Sequence, residues 1–154
     1  MNKILIAVDD TKGTQEMFSK IMKICKCMNP EEIVLLYVEK IEGRSIMDEM
    51  LGDAEMSTLK EELEGTEFKK ALDAKADKIL GYYKNLMQSS PPAPQVRTVV
   101  RTGHPAEEII KGSEEEGAEM IIVGTKGDRI GRFFIGSVSR EVVNHSKVPV
   151  LVVK

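Results

Sequence analysis

Two short runs near the N-terminus, Ile4-Leu5-Ile6-Ala7-Val8 and Ile33-Val34-Leu35-Leu36-Tyr37-Val38, carry apolar side chains at every position. Side chains of a strand alternate between its two faces, so a strand without a polar face must be covered on both. That requirement points to a parallel sheet lying between two layers of helix. Between the runs, Met17, Phe18, Ile21, Met22, Cys25 and Met28 recur at a helical period over residues 14–28, and Asn29-Pro30 stops the helix.

The alternation continues along the chain. Residues 39–66 are the least regular part, with Met47, Met50, Met56, many acids, and glycine at 43, 52 and 65. A short helix is expected at about 45–62, and a segment this long reads as a flap or a surface excursion. Phe68, Leu72, Ala76, Ile79, Tyr83 and Leu86 then mark an amphipathic helix, ended by the stiff connector Ser89–Pro94. Residues 96–100 form a strand. Pro105 suits the first turn of a helix running to about Gly117, with Glu107 and Glu108 near its positive end. Met120–Val123 is a strand, residues 136–145 a helix, and residues 148–153 the final strand. The order is βαβ(α)αβαβαβ. A helix in every strand-to-strand step predicts a doubly wound α/β fold: five parallel strands, right-handed crossovers, helices on both faces.

With 154 residues the chain has the size of one domain. A domain this long buries roughly 70% of its unfolded-chain surface and needs no disulfide or metal to hold it. Cys25 and Cys27 lie about 200° apart around their helix, which suits one core and one half-exposed thiol rather than a pair. The net charge of −3 argues against a dedicated nucleic-acid binder. No apolar run approaches the roughly 18 residues of a membrane span, which argues against a membrane partner. The N-terminal apolar stretch ends in Asp9-Asp10 instead of a cleavage site, and the expected compartment is the cytoplasm.

The glycine-rich stretch Gly124–Ser139 lies between a strand and a helix. Gly136-Ser137-Val138-Ser139 places free backbone N–H groups and two hydroxyls at a helix N-terminus, an anion site by construction. Lys126, Arg129 and Arg132 add positive charge, and Arg129 is placed with the ligand-contacting residues. In such sheets ligands bind beyond the carboxyl ends of the strands, where strand order reverses. If the order is 3-2-1-4-5, the reversal falls between the strands ending at Val8 and Val123. Asp9 then faces the same crevice, where a carboxylate accepts hydrogen bonds from ribose hydroxyls. The plainer alternative is that the glycines only make a turn and the serines only cap a helix. Neither the Walker A loop nor the GxGxxG fingerprint is present.

The spacing Gly-x2-Gly-x8-Gly-Ser after "MIIVG" and before "VSREVVNHSKVPVLVV" resembles the nucleotide-binding signature of the universal stress protein family. "KILIAVDDT", "EEIVLLYVE" and "GHPAEEIIKGSEEEGAEMIIVGTKG" resemble that family's first strand, second strand, and third helix with fourth strand. The resemblance implies a five-stranded parallel sheet, ATP or another adenine nucleotide as ligand, and homodimers paired through the last strand. It places Ala7, Val8 and Asp9 along the adenine and ribose, and Val38 against the adenine. Val123 and Gly124 would flank the ligand, and Gly127, Gly136, Ser137, Val138 and Ser139 would hold the phosphates. Two departures stand out. Eight residues separate the second and third glycines where the family has nine, and Asp10 stands where the family commonly has glycine.

His104, in Thr102-Gly103-His104, superficially resembles part of the His-x-Gly-His motif of nucleotidylyltransferases. It is a single histidine far from the first strand, and a base needs a partner. His145, near a helix C-terminus, reads as a favourable charge placement. Glu61-Glu62, Glu107-Glu108 and Glu114-Glu115-Glu116 read as solvated faces, and no grouping has metal-ligand spacing; Mg²⁺ would arrive with nucleotide phosphates. Phe133 and Phe134 either pack under the loop or face a partner. The final apolar strand, if an edge, would be covered by its own symmetry mate, predicting a homodimer through residues 148–153. The reading is an ATP-binding sensor or regulatory module, with slow hydrolysis at most. The alternative is a nucleotide-independent interaction module of the same fold that meets an unknown protein partner. An ATP pyrophosphatase is disfavoured, because Val8-Asp9-Asp10-Thr11 replaces its Ser-Gly-Gly-x-Asp-Ser loop.

Overall fold

The computed structural model describes residues 1–39, 53–89, 91, 93–125 and 135–154. Their elements run β1 (Lys3–Val8), α1 (Lys12–Met28), β2 (Glu32–Glu39), α2 (Asp53–Leu63) and α3 (Glu67–Gln88). There follow β3 (Gln95–Thr102), α4 (Pro105–Glu115), β4 (Met120–Gly124), α5 (Ser137–His145) and β5 (Val150–Val153). The strands form one sheet in the order β3-β2-β1-β4-β5, every neighbouring pair parallel. This is the predicted doubly wound arrangement. Strand order reverses at β1, between β2 on one side and β4 on the other, so the loops after β1 and β4 diverge to opposite faces and leave a crevice.

The two wholly apolar runs explain the centre of the sheet. Ile4, Leu5, Ile6, Ile33, Val34, Leu35, Leu36, Ile121 and Ile122 are all completely buried. Period-two alternation divides them. Ile4, Ile6, Ile33, Leu35 and Ile122 meet Phe18 and Ile21 of α1 and Leu80 and Tyr83 of α3 on one face. Leu5, Val34, Leu36 and Ile121 meet Ile109 of α4 and Val142 of α5 on the other.

Local chemistry sets the helix limits. Thr11 caps α1 by accepting from the Thr14 N–H, and Asn29 ends it in the left-handed conformation (φ 46°), donating to the Cys25 carbonyl. Pro105 occupies the first turn of α4 with Glu107 and Glu108, as expected. In α4, a Cβ on Gly112 would lie 2.5 Å from Leu36 Cδ1, so glycine brings this helix close to β2.

Several expectations need adjustment. β3 extends two residues past 100 because Arg101 and Thr102 pair in register with Val38 and Glu39. The last strand begins at Val150 instead of 148, although the Pro149 carbonyl already accepts from the Ile121 N–H. The buried stripe of α3 is Ala76, Leu80, Tyr83 and Met87, whereas Phe68 is 44% exposed. The first two turns of α3 overhang the end of the sheet. Glu108, read as solvated, is buried and pairs with Arg101 Nε at 2.6 Å. The described side chains of α2 are exposed, placing that part of the 39–66 excursion on the surface; Met47 and Met50 lie outside the described residues. Cys25 is buried and Cys27 exposed, and burial pushes the Cys25 thiol up to about 11. Among the described residues, no helix is long and apolar enough to cross a membrane.

Candidate functional site

The crevice at the reversal point is a cleft of about 560 Å³. Its floor is the carboxyl end of the sheet: Ala7 and Val8 of β1, Leu36, Tyr37 and Val38 of β2, and Val123 and Gly124 of β4. One wall is the β1–α1 turn with Asp9, Asp10, Thr11 and Thr14, the opposite wall the head of α5 from Gly136 to Ser139. Of the residues expected at the site, Ala7, Val8, Asp9, Val38, Val123, Gly124, Gly136, Ser137, Val138 and Ser139 all line this one cleft. Gly127 and Arg129 lie outside the described residues, as do Lys126, Gly131, Arg132, Phe133 and Phe134.

Asp9 is held firmly. Its Oδ1 accepts from the Thr11 N–H at 2.9 Å, from Thr11 Oγ1 at 2.7 Å and from Thr14 Oγ1. Among the described residues every side-chain hydrogen bond of Asp9 goes to Oδ1. The turn therefore aims the carboxylate with one oxygen tied to the protein. Behind it, the Tyr83 hydroxyl donates to the Asp9 carbonyl at 3.3 Å, and burial, with Asp9 nearby, pushes that phenol up to about 12.

Across the cleft, Gly136 is the N-cap of α5, and among the described residues no side chain caps that end. The first-turn N–H groups of an uncapped helix are donors without intrahelical partners, and the helix dipole favours negative charge there. The two serines behave differently. Ser137 is exposed at the head of the helix. Ser139 is 5% exposed, and its hydroxyl donates to the Gly124 carbonyl at 2.5 Å. A hydroxyl has one proton to donate, so Ser139 ties α5 to the end of β4. Gly124 has a packing reason of its own: a Cβ there would collide with the Met17 thioether.

Sequence reasoning missed the third wall. Phe68, Ala71, Leu72 and Lys75 of α3 line the cleft, at i, i+3, i+4 and i+7 on one helix face. That spacing was visible, but only the sheet's length shows that the face projects past the core. Lys75 Nζ lies 2.8 Å from Asp10 Oδ2. Tyr37, on the floor, has its phenol raised, chiefly by burial; Asp10, Glu39 and Asp9 add to the rise and Lys75 opposes it.

Other candidates fall elsewhere. His104 precedes α4, its Nδ1 3.8 Å from Glu141 Oε1, and it does not line the cleft. His145 Nδ1 lies 3.0 Å from the Glu141 carbonyl in the last turn of α5. Among the described residues, no group of three or more His, Cys, Asp or Glu side chains is placed to hold a metal ion.

A five-stranded parallel sheet wound on both faces, with a crevice at its reversal point, defines a doubly wound α/β protein. Known proteins narrow the class. The model of the universal stress protein family matches residues 1–154, and the chain belongs to that family. It is 33% identical over 158 residues to universal stress protein MJ0577 of Methanocaldococcus jannaschii, covering 100% of this chain and 96% of that protein. The solved structure of MJ0577 superposes with a TM-score of 0.74 at 27% identity, over 99% of this chain and 95% of that one. More distant structures share the fold. One, from Arabidopsis thaliana with AMP bound, has a TM-score of 0.68 at 17% identity, over 100% of this chain and 92% of that one. Another, from Archaeoglobus fulgidus in complex with dAMP, has a TM-score of 0.58 at 16% identity, over 100% and 98%. A universal stress protein in complex with cAMP has a TM-score of 0.65 at 20% identity, over 99% and 97%.

Proposed function

We propose that the chain binds an adenine nucleotide, ATP in the first instance, in the cleft between the β1–α1 turn and the head of α5. The observation that carries this reading is a pairing of opposite chemistries across one cleft. A carboxylate oriented by Thr11 and Thr14 stands on one side, suited to ribose hydroxyls. A helix N-terminus that no described side chain caps stands on the other, suited to phosphate. Ala7, Val38 and Val123 supply an apolar floor for a purine. The adenine nucleotides bound by three proteins of the same fold, AMP, dAMP and cAMP, point the same way.

In this reading Asp9 accepts from the ribose. The α5 amides and the Ser137 hydroxyl donate to phosphate, with Gly127 and Arg129 from the glycine-rich stretch completing the cradle. Ser139 acts as a strut. Mg²⁺ enters with the phosphates, and any hydrolysis is slow. The protein acts as a cytoplasmic sensor or regulatory module, dimeric through β5.

Calorimetric titration with ATP and Mg²⁺ tests the reading. The wild type is expected to bind at micromolar ATP, and the double variant Gly136→Val, Ser137→Ala to lose binding while staying folded. Asp9→Asn, which keeps an acceptor but drops the charge, is expected to weaken binding by roughly tenfold, the usual margin of a charge-assisted hydrogen bond. No heat and no thermal stabilisation at millimolar ATP would reject nucleotide binding and favour the interaction-module alternative.

A further inference from the structure

Two consecutive carboxylates, Asp9 and Asp10, close the end of β1 on one wall of the cleft. For a site that is to receive phosphates this is an unfavourable start, because each adds a like charge beside the ligand. Asp9 is engaged with Thr11 and Thr14, which orient its charge and do not cancel it. Asp10 is met by Lys75, whose Nζ is 2.8 Å from Oδ2. Lys75 is the charged member of the α3 face whose other cleft-lining residues are Phe68, Ala71 and Leu72. The sequence thus puts an ammonium group on an otherwise apolar wall, opposite the second carboxylate.

The pair is about half exposed on both sides (48% and 50%), and an ion pair so open to water adds little to folding. Its field still acts on whatever charge enters the cleft. The Tyr37 phenol on the floor lies within reach of these charges: after burial, Lys75 pulls its pKa down while Asp10, Glu39 and Asp9 push it up. Lys75 and the two carboxylates of the β1–α1 turn therefore act at one place inside the site.

We propose that Lys75 sets the charge of the cleft, cancelling Asp10 so that the site accepts a multiply charged nucleoside phosphate in preference to an uncharged nucleoside. The inference rests on the adenine-nucleotide reading above and identifies a specificity-determining residue within it.

The test compares adenosine, AMP, ADP and ATP, without Mg²⁺, on the wild type and on Lys75→Met, Asp10→Asn, the double variant and Lys75→Arg. At low ionic strength Lys75→Met is expected to weaken ATP relative to adenosine by roughly tenfold, with AMP affected less, and the effect shrinks as salt is added. Asp10→Asn moves the ATP-to-adenosine ratio the other way. The double variant returns it to within about twofold of wild type, and Lys75→Arg preserves it, because each keeps the wild-type net charge at this wall. Thermal melts of all five proteins confirm folding. If ATP and adenosine weaken alike in Lys75→Met, or if Lys75→Arg loses the ratio, Lys75 acts through packing and the inference falls while the nucleotide reading stands. If the wild type binds none of the four ligands, both fall together.

Discussion

Ser137 and Ser139 stand two residues apart at the head of α5, yet the helix turns them to different surroundings. Ser139 is buried and bonded to the Gly124 carbonyl, so Ser139→Ala should cost about 1–2 kcal/mol by urea denaturation, the cost of orphaning a buried acceptor. Ser137 is exposed, and Ser137→Ala should change stability by less than about 0.5 kcal/mol while acting on ligand affinity. The cysteines differ in the same way. A thiol reagent should label Cys27 at once in the folded protein, and Cys25, buried with its thiol raised to about 11, only when the chain is unfolded. Tyr83 extends the contrast to pH. Its phenol ionises near 12 in the folded state and near 10 in the unfolded chain, so its contribution is complete below pH 10 and disappears as pH rises towards 12. Tyr83→Phe should remove the last step of an absorbance titration of phenolate and flatten that part of the stability curve.

At the scale of elements, periodicity carried most of the fold and failed in an instructive place. The stripe of α3 had the right period, but its upper turns proved to be a cleft wall, because a helix of 22 residues outruns the strands it covers. Buried carboxylates were equally out of reach. Glu39 is completely buried at the end of β2, held by Lys69 at 2.8 Å and Thr102 at 3.0 Å, partners distant in sequence. Glu108 reads from its position as a helix-dipole residue, yet Arg101 Nε lies 2.6 Å from its carboxylate. Local pattern cannot report pairings that only the sheet brings together. Lys69→Met should therefore cost about 3 kcal/mol, the penalty for stripping a buried carboxylate of its cation, whereas Glu39→Gln should cost less. Gly112→Val should destabilise by about 1–3 kcal/mol through the clash with Leu36, a cost visible as a lowered melting temperature.

For the whole molecule, the parallel sheet followed from a helix in every crossover, and the cleft follows from the order β3-β2-β1-β4-β5 that the sheet adopts. β5 is an edge strand whose Val150, Leu151 and Val152 are half-buried. The carbonyls of Pro149 and Val153 accept from the N–H groups of Ile121 and Thr125, so by the alternation of a parallel ladder the backbone groups of Val150 and Val152 face the open side. Val152→Pro removes an outward N–H without touching the β4 ladder. It should leave the fold intact and shift sedimentation from dimer to monomer, if β5 is the dimer seam.

One residue joins these scales. Gly124 forms part of the cleft floor, takes the Ser139 hydroxyl on its carbonyl, and pairs in register with Val153 of the edge strand. Adjacent strands lie only about 4.8 Å apart. Whatever presses on the floor of the cleft is thus a single strand's width from the rim of the sheet. The molecule has almost no thickness there in which a message could be lost.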